Sequence, residues 1–284
     1  MSWLIVGTVP EEDFPLVHGP VEVHSQSLRV QEREVKIARG TPALAAFTAM
    51  AAREMGLSMP HVMLVGDTGD GQGSRALYAH LVEMVDKLEI EGFTFHYLLP
   101  DIYWHNQVLW AIQEKLPSAM LVADAGFMYV AKMSGFSADY DLFTPDIGEM
   151  CFLADETAPH PFYTRGFLLE DESKVEEYIS RAYSEQNAAR HLLVKGAKDY
   201  IVRDDLILGT VSEPSVAAME AIGGTGDSLT GIVTARLMAG EDIPAACHKS
   251  ALTNRHLGVL GRPTPAYSIG HLLPYLAGAM QEAG

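Results

Sequence analysis

The chain has 284 residues, 48% of them hydrophobic, with 37 acidic residues against 20 basic ones and a formal charge of −17. That balance argues against nucleic acid and anionic membranes as partners, because both bind through clustered Lys and Arg. Cys151 and Cys247 lack metal-type spacing and read as reduced thiols, no apolar run reaches transmembrane length, and Met1–Val6 is no signal peptide, so one soluble cytoplasmic domain over residues 1–284 is expected.

Residues 1–37 read as short strands and turns, with Val21–Val23 and Glu34–Ile37 alternating apolar and polar positions. Thr41 and Pro42 then read as the cap and first residue of an Ala- and Met-rich helix running to about Met55. Strands over His61–Val65, Phe93–Leu99 and Ala119–Ala123 alternate with helices over Ser74–Leu88 and Tyr103–Leu116. Such alternation predicts a parallel sheet covered by helices on both faces, with ligands bound beyond the carboxyl ends of the strands.

Three strand ends carry candidate chemistry. Gly66–Ser74 is glycine-rich but lacks the Gly-Lys-Ser/Thr ending of a phosphate loop, and its Asp67 and Asp70 would repel phosphate without a cation. A ligand contact and a plain strand-to-helix loop both remain open there. Asp101 reads as a helix cap, while Asp124 ends a buried strand and either positions a ligand or accepts loop N–H groups. Glu149 sits at the start of a helix, and residues 150–175 read as a surface excursion with an acidic run at Glu170–Glu172. A helix over Lys174–Asn187 precedes a hairpin at His191–Val202, where Lys195 ends an apolar strand and either meets an anion or lies at a strand edge. Helices over Ile243–Leu257 and Ser268–Met280 close the chain. The eleven histidines show no paired metal spacing, and His191, His248 and His256 read as structural.

The most informative stretch is Gly223-Gly224-Thr225-Gly226-Asp227, followed without a break by an apolar helical run. Glycines let the backbone approach a ligand, and the helix start directs unpaired N–H groups and a positive dipole end into the turn. This makes a phosphate site, with Asp227 placed as a base or as an ordinary helix cap.

Four segments, in order, give the chain a resemblance to the ribokinase-like superfamily, and within it to the ADP/ATP-dependent NAD(P)H-hydrate dehydratases. They are Leu121–Ala125, Phe143–Glu149, Val194–Gly196 and Met219–Gly231, with Ser268–Leu276 fitting the closing helix. The pattern departs from the family at Arg39–Ala43, at Leu98–Ile102, at Asp146 in place of a histidine, at Gly126 in place of an acid, and around His256–Gly258. The resemblance implies a three-layer α/β/α sandwich with a mostly parallel central sheet. It implies nucleotide-dependent repair of hydrated NADH or NADPH, with ADP or ATP and Mg²⁺, and Asp227 as catalytic base. Lys195, Gly196, Gly223, Gly224, Thr225 and Gly226 would bind phosphate, and Asp124, Thr144 and Glu149 are candidates for substrate or Mg²⁺ contact; no resident metal site is expected. A small-molecule kinase acting on a sugar or vitamin precursor is the alternative, and a non-catalytic nucleotide-binding protein the second. Members of the superfamily often assemble, so a homo-oligomer is compatible with the resemblance.

Overall fold

The computed structural model describes residues 2–155 and 172–284. Strand β1 (Trp3–Val9) leads into an antiparallel meander of β2 (Val17–His24), β3 (Ser27–Val30) and β4 (Arg33–Lys36), then helix α1 (Thr41–Glu54). Strand and helix alternate through β5 (His61–Gly66), α2 (Gln72–Met84), β6 (Gly92–His96), α3 (Ile102–Lys115), β7 (Met120–Asp124), α4 (Gly126–Met133), β8 (Leu142–Phe143) and α5 (Ile147–Ala154). Helix α6 (Val175–Ser184), strands β9 (His191–Val194), β10 (Asp199–Arg203) and β11 (Leu206–Val211), then α7 (Thr225–Met238) and α8 (Ile243–Gly261) follow. A 3-10 turn at Ile269–Tyr275 and α9 (Leu276–Ala283) end the chain.

All strands join one sheet in the order β11-β10-β9-β8-β7-β6-β1-β5-β2-β3-β4, parallel from β9 through β5. The two-residue period of β1 sends Trp3 and Ile5 into one core and Leu4 and Val6 into the other. Residues of α1, α7, α8 and α9 build the first core, and residues of α2 through α6 the second. The expected three layers are therefore present. The chain steps from β1 to β5 on one side and then to β6 on the other, so the strand order reverses at β1. That reversal opens a crevice at the carboxyl ends of the central strands. No helix among the described residues is long and apolar enough to cross a membrane.

The short strands and turns expected over residues 1–37 are present, and the first strand, β1, is buried along its whole length in the middle of the sheet. Two expectations need correction. Thr41 is not the cap of α1: Gly40 takes that position with φ +72°, and the Thr41 side chain turns inward to His96. The surface excursion expected over residues 150–175 does not include Met150–Ala154, which belong to α5 and are buried. The acidic Glu170 and Asp171 lie outside the described residues, and Glu172 is exposed. Asp101 does cap α3, accepting the Trp104 N–H at 3.1 Å.

The contact between β1 and the start of α1 is tight. A Cβ on Gly7 would overlap the His96 carbonyl oxygen and the Thr41 hydroxyl, so only glycine lets β1, β6 and α1 meet there. Gly7→Ala is expected to lower unfolding stability by about 1–3 kcal/mol through overpacking. Urea denaturation measures this, and an unchanged midpoint would show that the junction has slack.

Candidate active site

A cleft of about 460 Å³ opens at the carboxyl ends of the parallel strands. It is lined by Asp124, Glu149, Lys195, Gly196, Gly224, Thr225, Gly226 and Asp227, bringing together residues spread over a hundred positions of sequence. Thr144 and Gly223 do not line it.

The turn before α7 behaves as its glycines suggest. Gly224 caps the helix at φ +97°, and a Cβ there would sit 2.8 Å from Ile269 Cγ2. A side chain would be strained at that φ and would also collide. Gly226 lies under Lys195, whose Nζ would be 3.4 Å from an added Cβ. The first-turn N–H groups of α7 have no helical acceptors and sit at the cleft with the positive end of the dipole.

Asp227 occupies this first turn but does not cap it, because Gly224 already does. Its carboxylate turns across to the other half of the sheet. Oδ2 accepts the Gly40 N–H at 2.5 Å, and Oδ1 lies 3.1 Å from His96 Nε2. Burial pushes this carboxyl up, but His96, the Gly40 N–H and Lys195 outweigh burial and hold it below the ordinary range. Those partners favour the ionised form of Asp227. A depressed folded pKa contributes stability above the unfolded value, and that stability is lost as pH falls through the folded one.

Lys195 follows β9 and carries a buried charge. Its Nζ contacts Asp124 Oδ1 at 2.9 Å and Oδ2 at 3.0 Å, both side chains being nearly inaccessible. Burial lowers the lysine pKa, but Asp124 and Glu149 more than reverse this, and the ammonium is retained. Asp124 also accepts the Ala125 N–H at 2.8 Å and the Thr230 hydroxyl at 2.7 Å. Both of its oxygens are therefore engaged.

The remaining candidates are tied down by the protein itself. Thr144 is fully buried, and the Thr230 hydroxyl reaches its Oγ1 at 3.0 Å; it supports Asp124 from behind instead of meeting ligand. Glu149 forms a capping box with Asp146, accepting that residue's N–H at 2.8 Å. Burial and then Asp146 push the Glu149 carboxyl well above its ordinary value. The Gly196 N–H is taken by Asp199 at 3.1 Å, so Gly196 shapes the cleft wall without a free donor. In the glycine-rich loop after β5, Asp67 accepts the N–H groups of Gly69, Gly71 and Ser74. No residue of that loop lines the cleft, and the plain-loop alternative fits its contacts.

Sequence reasoning passed over His96, Thr230, Asn254 and Arg255. Thr230 lies one turn beyond Asp227 on α7, a signal available from helical spacing alone. Asn254 donates to the Thr225 carbonyl at 3.1 Å, and the Ser228 hydroxyl reaches Asn254 Oδ1 at 2.6 Å, so α8 fixes the start of α7. Arg255 pairs with Asp199 at 2.9 Å and donates to the carbonyls of Gly196, Ala197 and Ser212, holding the hairpin against α8. His96 had no motif around it.

The family described as NAD(P)H-hydrate dehydratase matches residues 97–264, a span that includes Asp124, Lys195 and Asp227. The chain belongs to this family. It is 37% identical over 222 residues to the uncharacterized protein MJ1337 of Methanocaldococcus jannaschii, covering 78% of this chain and 91% of that one. Among solved structures, YxkO of Bacillus subtilis aligns with a TM-score of 0.55 at 18% identity, over 100% of this chain and 92% of its own. Escherichia coli phosphofructokinase-2 in complex with fructose-6-phosphate aligns at 0.55 and 12% identity over 98% of both chains. Staphylococcus aureus pyridoxal kinase in complex with AMP-PCP and pyridoxal aligns at 0.53 and 11%, over 89% of this chain and 86% of its own. These likenesses establish the ribokinase-like fold of this family member.

The Asp124–Lys195 pair can be tested directly. Lys195→Met leaves a buried carboxylate without its counter-charge and is expected to cost about 3–5 kcal/mol of unfolding stability. Adding Asp124→Asn should restore part of the loss, since the uncompensated charge is then gone. Equal denaturation midpoints for Lys195→Met and wild type would show that the pair contributes nothing.

Proposed function

We propose that this protein is a nucleotide-dependent dehydratase that repairs hydrated NADH or NADPH. The observation that carries the reading is the Asp227 carboxylate, ionised, nearly buried and held at the amino end of α7 beside Lys195. Family membership favours this substrate over other alcohols.

In this reading the turn from Gly223 to Gly226 and the N–H groups of α7 hold phosphate of ADP or ATP, assisted by Lys195. Gly223 is exposed and does not line the cleft, so it would act only through the turn, while Gly224, Thr225 and Gly226 line the cleft and would meet the ligand. Asp227 takes the proton of the substrate hydroxyl as its oxygen forms a bond to the terminal phosphorus. The bond from that phosphorus to the nucleotide's bridging oxygen breaks, releasing the shortened nucleotide. Elimination then breaks the substrate C–O bond, phosphate leaves, and loss of a ring proton restores the nicotinamide.

Lys195 serves phosphate by sharing its three donors between Asp124 and the incoming anion. Mg²⁺ fits the donor set, because the cleft carries Asp124, Asp146, Glu149 and Asp227 against few cations. Asp124 is already saturated and Glu149 Oε2 is taken by the Asp146 N–H, so an ion here would be held through Glu149 Oε1 and would have to displace the proton that burial favours on that carboxyl.

A kinase of the same fold is the second reading. It is favoured by the alignment of phosphofructokinase-2 along 98% of both chains, and it uses the same proton transfer to Asp227 but ends there.

Purified hydrated NADH, supplied with ADP or ATP and Mg²⁺, should regain its NADH absorbance in the presence of this protein. Asp227→Asn should slow recovery by at least about a hundredfold. No recovery by wild type, with nucleotide binding shown separately, would reject the dehydratase reading and call for a screen of sugars and vitamin alcohols. Binding without any turnover would point to a non-catalytic nucleotide-binding protein.

A further inference from the structure

We propose that His96 is the positioning residue of Asp227, aiming the carboxylate through an Nε2–H whose tautomer Thr41 fixes. This rests on the reading above in which Asp227 is the base. His96 is the last residue of β6 and is fully buried. Its Nδ1 lies 3.0 Å from Thr41 Oγ1, whereas the other acceptor near that hydroxyl, the His96 carbonyl, is 3.5 Å away. The hydroxyl proton is therefore best used on Nδ1, which leaves the imidazole proton on Nε2.

That Nε2 is aimed between two carboxylates. It lies 3.1 Å from Asp227 Oδ1 and 3.9 Å from Asp124 Oδ2, yet it makes no well-aligned hydrogen bond to either. Asp227 Oδ2 is fixed by the Gly40 N–H, so Oδ1 is the oxygen left for His96 to orient. A small rotation of the carboxylate would bring Nε2–H into line, and catalytic hydrogen bonds often tighten in this way only when substrate is bound. Donors on both oxygens then fix the plane of the base against the cleft. The Tyr97 ring packs edge-on to His96 at 4.3 Å and closes off its outer side.

The same groups suit a cation less well. His96, Asp124 and Asp227 do offer ligand atoms within 4.8 Å of one another. However, the Lys195 ammonium already neutralises Asp124, whose remaining acceptor positions go to Ala125 and Thr230. A metal on Nε2 would also require the opposite tautomer, leaving the Thr41 hydroxyl with only the 3.5 Å contact.

Imidazole ¹⁵N spectra of the whole protein at neutral pH test this without substrate. The expected signature for His96 is a proton on Nε2, protected from solvent exchange, with Nδ1 accepting from Thr41. Asp227→Ala should shift that proton and speed its exchange, and Thr41→Val should mix the tautomers. In turnover, His96→Asn should lower kcat by up to about a hundredfold with nucleotide KM little changed, as expected for a displaced base. His96→Gln should recover part of the loss, because its terminal amide reaches the position of Nε2.

A proton on Nδ1 in wild type, or a His96 spectrum indifferent to Asp227→Ala, overturns the proposal. So does one equivalent of Zn²⁺ bound by wild type and lost in His96→Asn, which would make His96 a metal ligand. The spectral outcome stands apart from the reaction assay. Failure to recover NADH with the tautomer signature intact would reject the substrate and not the His96–Asp227 arrangement.

Discussion

A carboxylate kept ionised in a nearly closed pocket constrains everything around it. Asp227 has lost most of its water, and desolvation alone would drive it toward the protonated form. Its charge survives because two donors and a nearby ammonium replace that water: the Gly40 N–H, the His96 imidazole and Lys195. Those three come from the start of α1, the end of β6 and the end of β9. This carboxylate environment therefore exists only when the central strands and the α1–α7 layer are assembled, which ties the proposed site chemistry to the fold.

This explains why small residues recur where the elements meet. Gly7 lets Thr41 and His96 approach β1, Gly40 offers a backbone donor in a left-handed turn, and Gly231 lets α7 lie close against Leu44 of α1. Thr48 bridges the same pair of helices, with its hydroxyl reaching the carbonyls of Leu44 and Gly231. The glycine-rich turn before α7 shapes the Lys195 side of the cleft. The glycines around β1 and α1 shape the His96 side.

The alternation of apolar strands and helices was legible in the sequence because a parallel sheet needs strands buried on both faces. The turn at Gly223–Asp227 was legible because its glycines and the following helix are contiguous. The bounds of strand β1 were not, since Trp3–Val9 is buried along its whole length and shows no alternation of apolar and polar residues. His96 was hidden for a different reason. Its role depends on Thr41, 55 positions earlier, and on Asp227, 131 positions later, and no local spacing encodes that meeting. Thr144 misled in the opposite direction: it sits inside a family-like motif, yet its hydroxyl faces Thr230 in the interior.

The two charged pairs divide the work of the cleft. Lys195 and Asp124 are paired through both carboxylate oxygens at the cleft, so the ammonium is held in one place and is not carried on a mobile side chain. His96 and Asp227 are close but imperfectly aligned, which leaves the base some freedom of orientation. In the proposed reaction, charge would be bound on the rigid side and adjustment reserved for the atom that accepts the proton. The departures from the family pattern at Arg39–Ala43 and Leu98–Ile102 flank that adjustable side, around Gly40, Thr41, His96 and Tyr97. In the proposed reaction, residues at those positions can change what meets Asp227 without disturbing the Lys195–Asp124 pair.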